Sequence, residues 1–206
     1  MHVFDWNFLF DFYLVLYELL KEYQLSFQET NYVLKSGKQI TIRLPEEKEA
    51  QAILDLKRGY IRNTSTLPLT LDEYPNDVQR ETNLIKEYAE SKNSIFLVAE
   101  YNGELVGNID LTGSKRSKIS HTAMLGMGIH ENCRNQGLGK ILIKCALEWA
   151  KNQSKLELIW LDVYASNAIG YNLYQKMGFQ ISGTIKDFFK QEEIYIDKIQ
   201  MYQRIK

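Results

Sequence analysis

Arg134-Asn135-Gln136-Gly137-Leu138-Gly139 is the stretch on which the reading of this chain turns. It divides two periodicities. Ala123 to His130 reads as a strand, while Leu138, Ile141, Leu142, Cys145 and Trp149 recur at helical spacing. A glycine-bearing passage from strand into helix is a place to hold phosphate. The first turn of a helix has free backbone N–H groups and the positive end of the dipole. Gly137 and Gly139 lack Cβ atoms, so a bulky anion can approach the backbone. The same two glycines also fit a tight turn that packs on a sheet.

A second segment, Asn167 to Phe179, reads Asn-Ala-Ile-Gly-Tyr-Asn-Leu-Tyr-Gln-Lys-Met-Gly-Phe. Together the two segments resemble the GNAT superfamily of acyl-CoA-dependent N-acetyltransferases. The first matches that family's R/Q-x-x-G-x-G/A loop at Arg134, Gly137 and Gly139. The second matches its N-x-x-A-x-x-L-Y-x-x-x-G-F segment, with Gly170 where Ala is usual. The resemblance covers about residues 38 to 203. It implies an α/β fold: a mixed, mostly antiparallel central sheet flanked by helices. We expect this domain over 31–206, preceded by a helical extension over 1–30.

The rest of the chain agrees with that order of elements. Ile40 to Leu44 alternates like a strand and stops at Pro45. Glu46 to Tyr60 and Asn76 to Glu90 are helical patterns, the second capped by Asn76 or Asp77. Residues 61–76 between them, with Pro68 and Pro75, form a loop. Ser94 to Tyr101 and Glu104 to Thr112 flank Asn102-Gly103, a strong hairpin signal because both turn residues need positive φ. Gly126 and Gly128 interrupt the next strand, which suggests a bulge or a close approach. A helix over 137–151 follows, then a buried strand over Leu156 to Tyr164. A helix over 167–177 ends at Gly178, and Phe179 to Lys186 with Glu193 to Gln203 make a closing hairpin.

Composition bounds the function. With 45% hydrophobic and 12% aromatic residues, 206 residues can bury a proper core. A net charge of -1 offers no nucleic-acid surface, and Lys115-Arg116-Ser117-Lys118 reads as a solvated hairpin tip. Cys133 and Cys145 have neither metal nor disulfide spacing, which fits a cytoplasmic protein. Met1 to Tyr23 is aromatic, but Asp5, Asp11 and Glu18 interrupt it. It satisfies neither a signal peptide nor an integral membrane segment. Phe4, Phe8, Phe12, Val15 and Leu19 suit one face of an amphipathic helix that packs on the domain or on a partner chain.

The resemblance implies acetyl-CoA as co-substrate and no metal. Backbone amides of Asn135, Gln136, Gly137, Leu138, Gly139 and Lys140 would face its diphosphate, with Arg134 and Lys140 adding charge. The pantetheine arm, whose amides are spaced like a peptide's, would pair with the strand edge at Met127, Gly128 and Ile129. Asn167 would hydrogen-bond that arm, and it also reads as a plain helix cap. Tyr174 would protonate the thiolate; its other reading is a core residue with its hydroxyl at the rim. Asp162, in an otherwise apolar strand, is the candidate base, or else a carboxylate paired across the sheet. Glu73, on the 61–76 loop, would bind a cationic acceptor. Asp110, His121 and Glu73 are weaker candidates for the base. The acceptor is a primary amine of a small molecule, peptide or protein, and a homodimer is common in the family.

Two other classes compete. A dinucleotide fold needs G-x-G-x-x-G directly after the first strand of a βαβ unit, and this loop lies late with only two glycines. A catalytically silent domain that binds CoA as a sensor would share every cofactor residue. Asn167 and Tyr174 favour catalysis.

Overall fold

The structure, a computed structural model, describes residues 27–206. The amphipathic helix expected within the first 23 residues lies outside them. One sheet organises what is described. Its strands are β1 (Thr30–Val33), β2 (Gln39–Arg43), β3 (Ile95–Tyr101), β4 (Glu104–Gly113), β5 (Thr122–Ile129), β6 (Leu158–Tyr164), β7 (Gln180–Gln191) and β8 (Ile194–Arg204). The helices are α1 (Ala50–Arg62), α2 (Val78–Ala89), α3 (Leu138–Gln153) and α4 (Ala168–Lys176). The strand order is β1-β2-β3-β4-β5-β6-β8-β7. Every neighbouring pair is antiparallel except β5 and β6.

Local chemistry explains most of the element ends. Asn102 and Gly103, at φ 52 and 83, close the β3–β4 hairpin on two left-handed residues, as their sequence demands. Gly178 takes φ 94 just beyond α4. The Asp77 carboxylate accepts from Arg80 N–H and starts α2. The sequence reading missed β1. Its burial alternates only weakly and Val33 is 67% exposed, so no apolar period marks it. Phe27 and Tyr32 nevertheless pack on the main core.

That core lies between the sheet and α3. Leu138, Leu142, Ile143, Ala146 and Ala150 of α3 bury against Ile109, Leu111, Leu125, Ile159 and Leu161. A smaller cluster under α1 and α2 joins Ala50, Ile53, Ile85, Phe96 and Val98. Between those two helices, Lys57 and the buried Glu81 form an ion pair at 2.8 Å that also takes the Tyr74 hydroxyl. Neither helix covers the α1/α2 face beyond β5: Met124 stays 41% exposed there. Among the described residues, no helix is long and apolar enough to cross a membrane.

Candidate active site

The loop into α3 has the backbone a diphosphate needs. Asn135 and Gly137 are left-handed at φ 60 and 96, while Gln136 between them is not. Alternating hands turn successive backbone N–H groups toward one side, as in an anion nest. The first helical bond runs from Ile141 N–H to Gly137 O at 3.2 Å, so Leu138, Gly139 and Lys140 N–H have no helical acceptor. The two glycines do different work. No described atom lies within 4 Å of where a Gly137 Cβ would stand, so that side is open to a ligand. A Cβ on Gly139 would meet Leu173 Cδ2 at 2.9 Å, so this glycine serves the packing of α3 on α4. Gly137→Val would strain the left-handed backbone by about 1–2 kcal/mol and put a branched side chain in the open space. The expected result is a CoA dissociation constant raised about tenfold or more by calorimetry.

Arg134 is tied to the protein backbone and stays partly exposed. Its Nε donates to Ile129 O at 3.0 Å and its Nη1 to Asn63 O at 3.3 Å. A guanidinium carries five N–H groups, so three remain for an anion.

Beside this loop the sheet forks. β5 pairs with β6 only from Thr122 to Met124, against Leu158 to Trp160. Past that point β5 follows β4 to Ile129 and β6 follows β8 to Tyr164. The edge of β5 from Leu125 to Ile129 therefore has no strand on the β6 side. Met127, Gly128 and Ile129 all lie on it. The glycines of β5 make room on its face rather than on its edge. A Cβ on Gly128 would stand 2.2 Å from the Tyr60 ring, and one on Gly126 2.7 Å from Asp110 Oδ1.

α4 starts at the open end of the fork. Asn167 Oδ1 accepts from Gly170 N–H at 2.9 Å, the plain cap, and its Nδ2 reaches Thr66 Oγ1 at 3.5 Å. A Cβ on Gly170 would lie 2.7 Å from Asn167 Nδ2, so Ala at this position would require the Asn167 amide to shift. Tyr174 stands two turns on, its ring edge-on to Phe179 with centroids 5.9 Å apart. Burial pushes its hydroxyl up to about 12.

The α1/α2 face of the fork carries the carboxylates. Register places Asp110 opposite Gly126, Met124 opposite Trp160 and Asp162 opposite Gln200. Asp162 accepts from Lys198 Nζ at 3.0 Å and from Gln200 Nε2 at 3.3 Å, which is the paired carboxylate of the alternative reading. Lys198 Nζ also sits 4.1 Å from the Phe188 ring centroid. Asp110 Oδ2 accepts from Tyr88 OH at 3.1 Å and Thr112 Oγ1 at 3.0 Å. Burial outweighs those two hydroxyls and holds Asp110 above the usual carboxylate range. Glu73 is turned to its own loop: its Oε2 accepts from Thr70 N–H at 2.8 Å and Oγ1 at 2.9 Å, which holds it below the usual range.

The loop and hairpin close over this face. Gln191 of β7 donates to Ser65 O, and Phe189 stacks on Tyr164 at 3.7 Å between centroids. Tyr60 and Tyr88 were not foreseen as site residues. Both lie on helices where an aromatic at core spacing carries no mark of its own. Among the described residues no His/Cys/Asp/Glu group could hold a metal ion.

Comparison with known proteins now adds to this geometry. The model of the acetyltransferase (GNAT) family matches residues 63–179. An L-amino acid N-acetyltransferase of Escherichia coli K12 is 30% identical over 105 residues, spanning 51% of this chain and 65% of that protein, just under two thirds. An N-alpha-acetyltransferase of Sulfurisphaera tokodaii is 26% identical over 167 residues, 77% of this chain and 91% of that one. The crystal structure of a GNAT-family acetyltransferase from Streptococcus pneumoniae superposes with a TM-score of 0.78 at 29% identity, covering 81% of this chain and 99% of that one. The forked sheet, the amide-lined loop and these matches lead to one assignment: the chain belongs to the GNAT family of acetyltransferases.

Proposed function

We propose that this protein moves acetyl from acetyl-CoA to a primary amine by direct attack in a ternary complex. The observation that carries the reading is the fork, whose unpaired β5 edge leads into an amide-lined loop with open space at Gly137. Those features fit the coenzyme: the loop amides with Arg134 and Lys140 suit the diphosphate, and the edge at Met127, Gly128 and Ile129 suits the amides of the arm. Acetyl-CoA supplies the acyl group as a thioester.

The chain's own groups supply the rest. Backbone N–H groups at the fork are fixed dipoles for a developing oxyanion. Tyr174 holds a proton for the departing thiolate. Of the two carboxylates on the acceptor face, Asp162 would lose its ion pair with Lys198 on taking a proton. Asp110 would relieve its burial by doing so, which suits it to the role of base, with Asp162 and Lys198 shaping the acceptor side. The acceptor amines to test first are α-amines. Two of the relatives named above are called an L-amino acid N-acetyltransferase and an N-alpha-acetyltransferase, and a peptide α-amine is already neutral in about one molecule in ten at pH 7. Free-thiol release measured across amino acids, peptides, polyamines and lysine side chains tests the reading. Coenzyme binding without turnover on any amine would favour the sensor.

Asp110→Asn should cost on the order of tenfold in kcat/KM for a peptide α-amine at pH 7, the neutral fraction the base would otherwise supply. The loss should vanish as pH rises past the amine's own pKa. Stability moves the other way. A carboxyl with a raised folded pKa stabilises the protein at low pH and loses that contribution as pH rises through the folded value. The melting temperature of the parent should therefore fall relative to Asp110→Asn as pH rises from the ordinary carboxylate range through the raised folded value, and not beyond it. Equal pH–rate profiles for the two proteins would remove Asp110 as the base.

A further inference from the structure

We infer that the β1–β2 turn, Lys35-Ser36-Gly37, is the support that keeps the diphosphate loop in its binding form, with Ser36 as a positioning residue for the coenzyme. This rests on the acetyltransferase reading above. The turn lies outside the stretch that matches the family model, residues 63–179.

Three contacts join the turn to the segment before α3. Lys35 N–H donates to Gln136 O at 3.2 Å, and Ser36 Oγ donates to Gln136 Oε1 at 2.5 Å. Lys38 Nζ donates to Asn132 O at 3.4 Å. The loop side completes the grip, because Gln136 Nε2 donates to the same Asn132 O at 2.7 Å. Gln136 is thus held through its carbonyl and both ends of its amide.

The turn can bear this load because it is itself fixed. Leu34 N–H donates to Lys38 O and Gly37 N–H to Leu34 O, both at 2.9 Å, with Gly37 left-handed at φ 83. Leu34 is buried in the main core at 3% exposure. The loop needs such support. Asn135 is a non-glycine residue at φ 60, a conformation asparagine adopts more readily than most side chains but still at a cost that neighbouring contacts offset. Without the clamp on Gln136, the residues on either side are free to leave the alternation that aims their amides. A site that must be reassembled on binding has weaker affinity than one already built.

The experiment compares two acyl donors. Acetyl-CoA carries the diphosphate; S-acetylpantetheine has the same arm and thioester without it. Ser36→Ala should raise KM for acetyl-CoA about three- to tenfold, the range of one lost net hydrogen bond, with kcat nearly unchanged. Its kcat/KM with S-acetylpantetheine should match the parent, and Ser36→Thr should restore the acetyl-CoA value. Lys38→Met gives a second, independent variant with the same expected selectivity. Equal effects on both donors would mean a general structural role, and no effect on either would mean no support; each overturns the inference. A parent that fails to bind CoA by calorimetry sinks the transferase reading itself. A parent that binds, with both variants indistinguishable from it, sinks the brace alone.

Discussion

Tyr174→Phe should lower kcat for acetyl transfer by about two orders of magnitude or more, with little change in KM for acetyl-CoA. The substitution keeps the ring that packs edge-on against Phe179 and removes only the hydroxyl. Stability should therefore hold, and a melting temperature within a few degrees of the parent is the control. The chemistry lost is proton delivery. With its hydroxyl pushed up to about 12, Tyr174 stays protonated across the working pH range. Against a thiol in water, with a pKa near 8.5, the transfer would run about 5 kcal/mol uphill. The same burial raises a thiolate held in the fork, because desolvation disfavours either anion, and the gap narrows. The pH–rate curve of the parent should accordingly show no alkaline limb from this tyrosine below about pH 11. A Phe variant that keeps kcat within threefold of the parent would return Tyr174 to the core.

What the sequence made legible were features whose cause is local. Asn102-Gly103 and Gly178 announce left-handed backbone by residue type, and each takes it. Asn167 caps α4 through a bond three residues along its own chain. The strand-to-helix passage at 134–139 was legible for the same reason: its backbone is written in six consecutive residues. Features that depend on what lies across the sheet were not. Gly139 read as part of the anion cradle, yet Leu173 of α4 occupies its space. Asp162 read as a base or a paired acid, and only the register with β8 shows Lys198 and Gln200 beside it. Asp110 looked secondary because nothing in the strand hints that Gly126 opens room for it and Tyr88 reaches over from α2. The β1–β2 turn gave no signal, since a Lys-Ser-Gly turn is ordinary until Gln136, 100 residues away, is seen to meet it.

Gly128→Ala should destabilise the protein by about 3 kcal/mol, the upper end of ordinary overpacking. For a chain of this size that lowers the melting temperature by about 6–12 °C. The added methyl would stand 2.2 Å from both Cε1 and Cζ of Tyr60, far inside contact distance. Neither partner can yield cheaply. Gly128 is fixed in register opposite Asn108 on β4, and the Tyr60 ring is set on α1 above the strand. Tyr60 lies among Asn108, Asp110 and Glu81, and burial raises its hydroxyl above the ordinary tyrosine value. Moving the ring would disturb the acceptor face as well as the fold. The second half of the cycle decides what the glycine is for. In a Tyr60→Leu background the ring is gone, and Gly128→Ala should cost at least 1 kcal/mol less than in the parent, a coupling normal for residues in contact. Coenzyme affinity should then be nearly normal, because in the proposed function the arm would pair with the backbone edge of β5 and not with its face. If instead the double variant folds well but binds CoA as weakly as Gly128→Ala alone, the glycine is reserved for the coenzyme and Tyr60 merely fills the space it leaves.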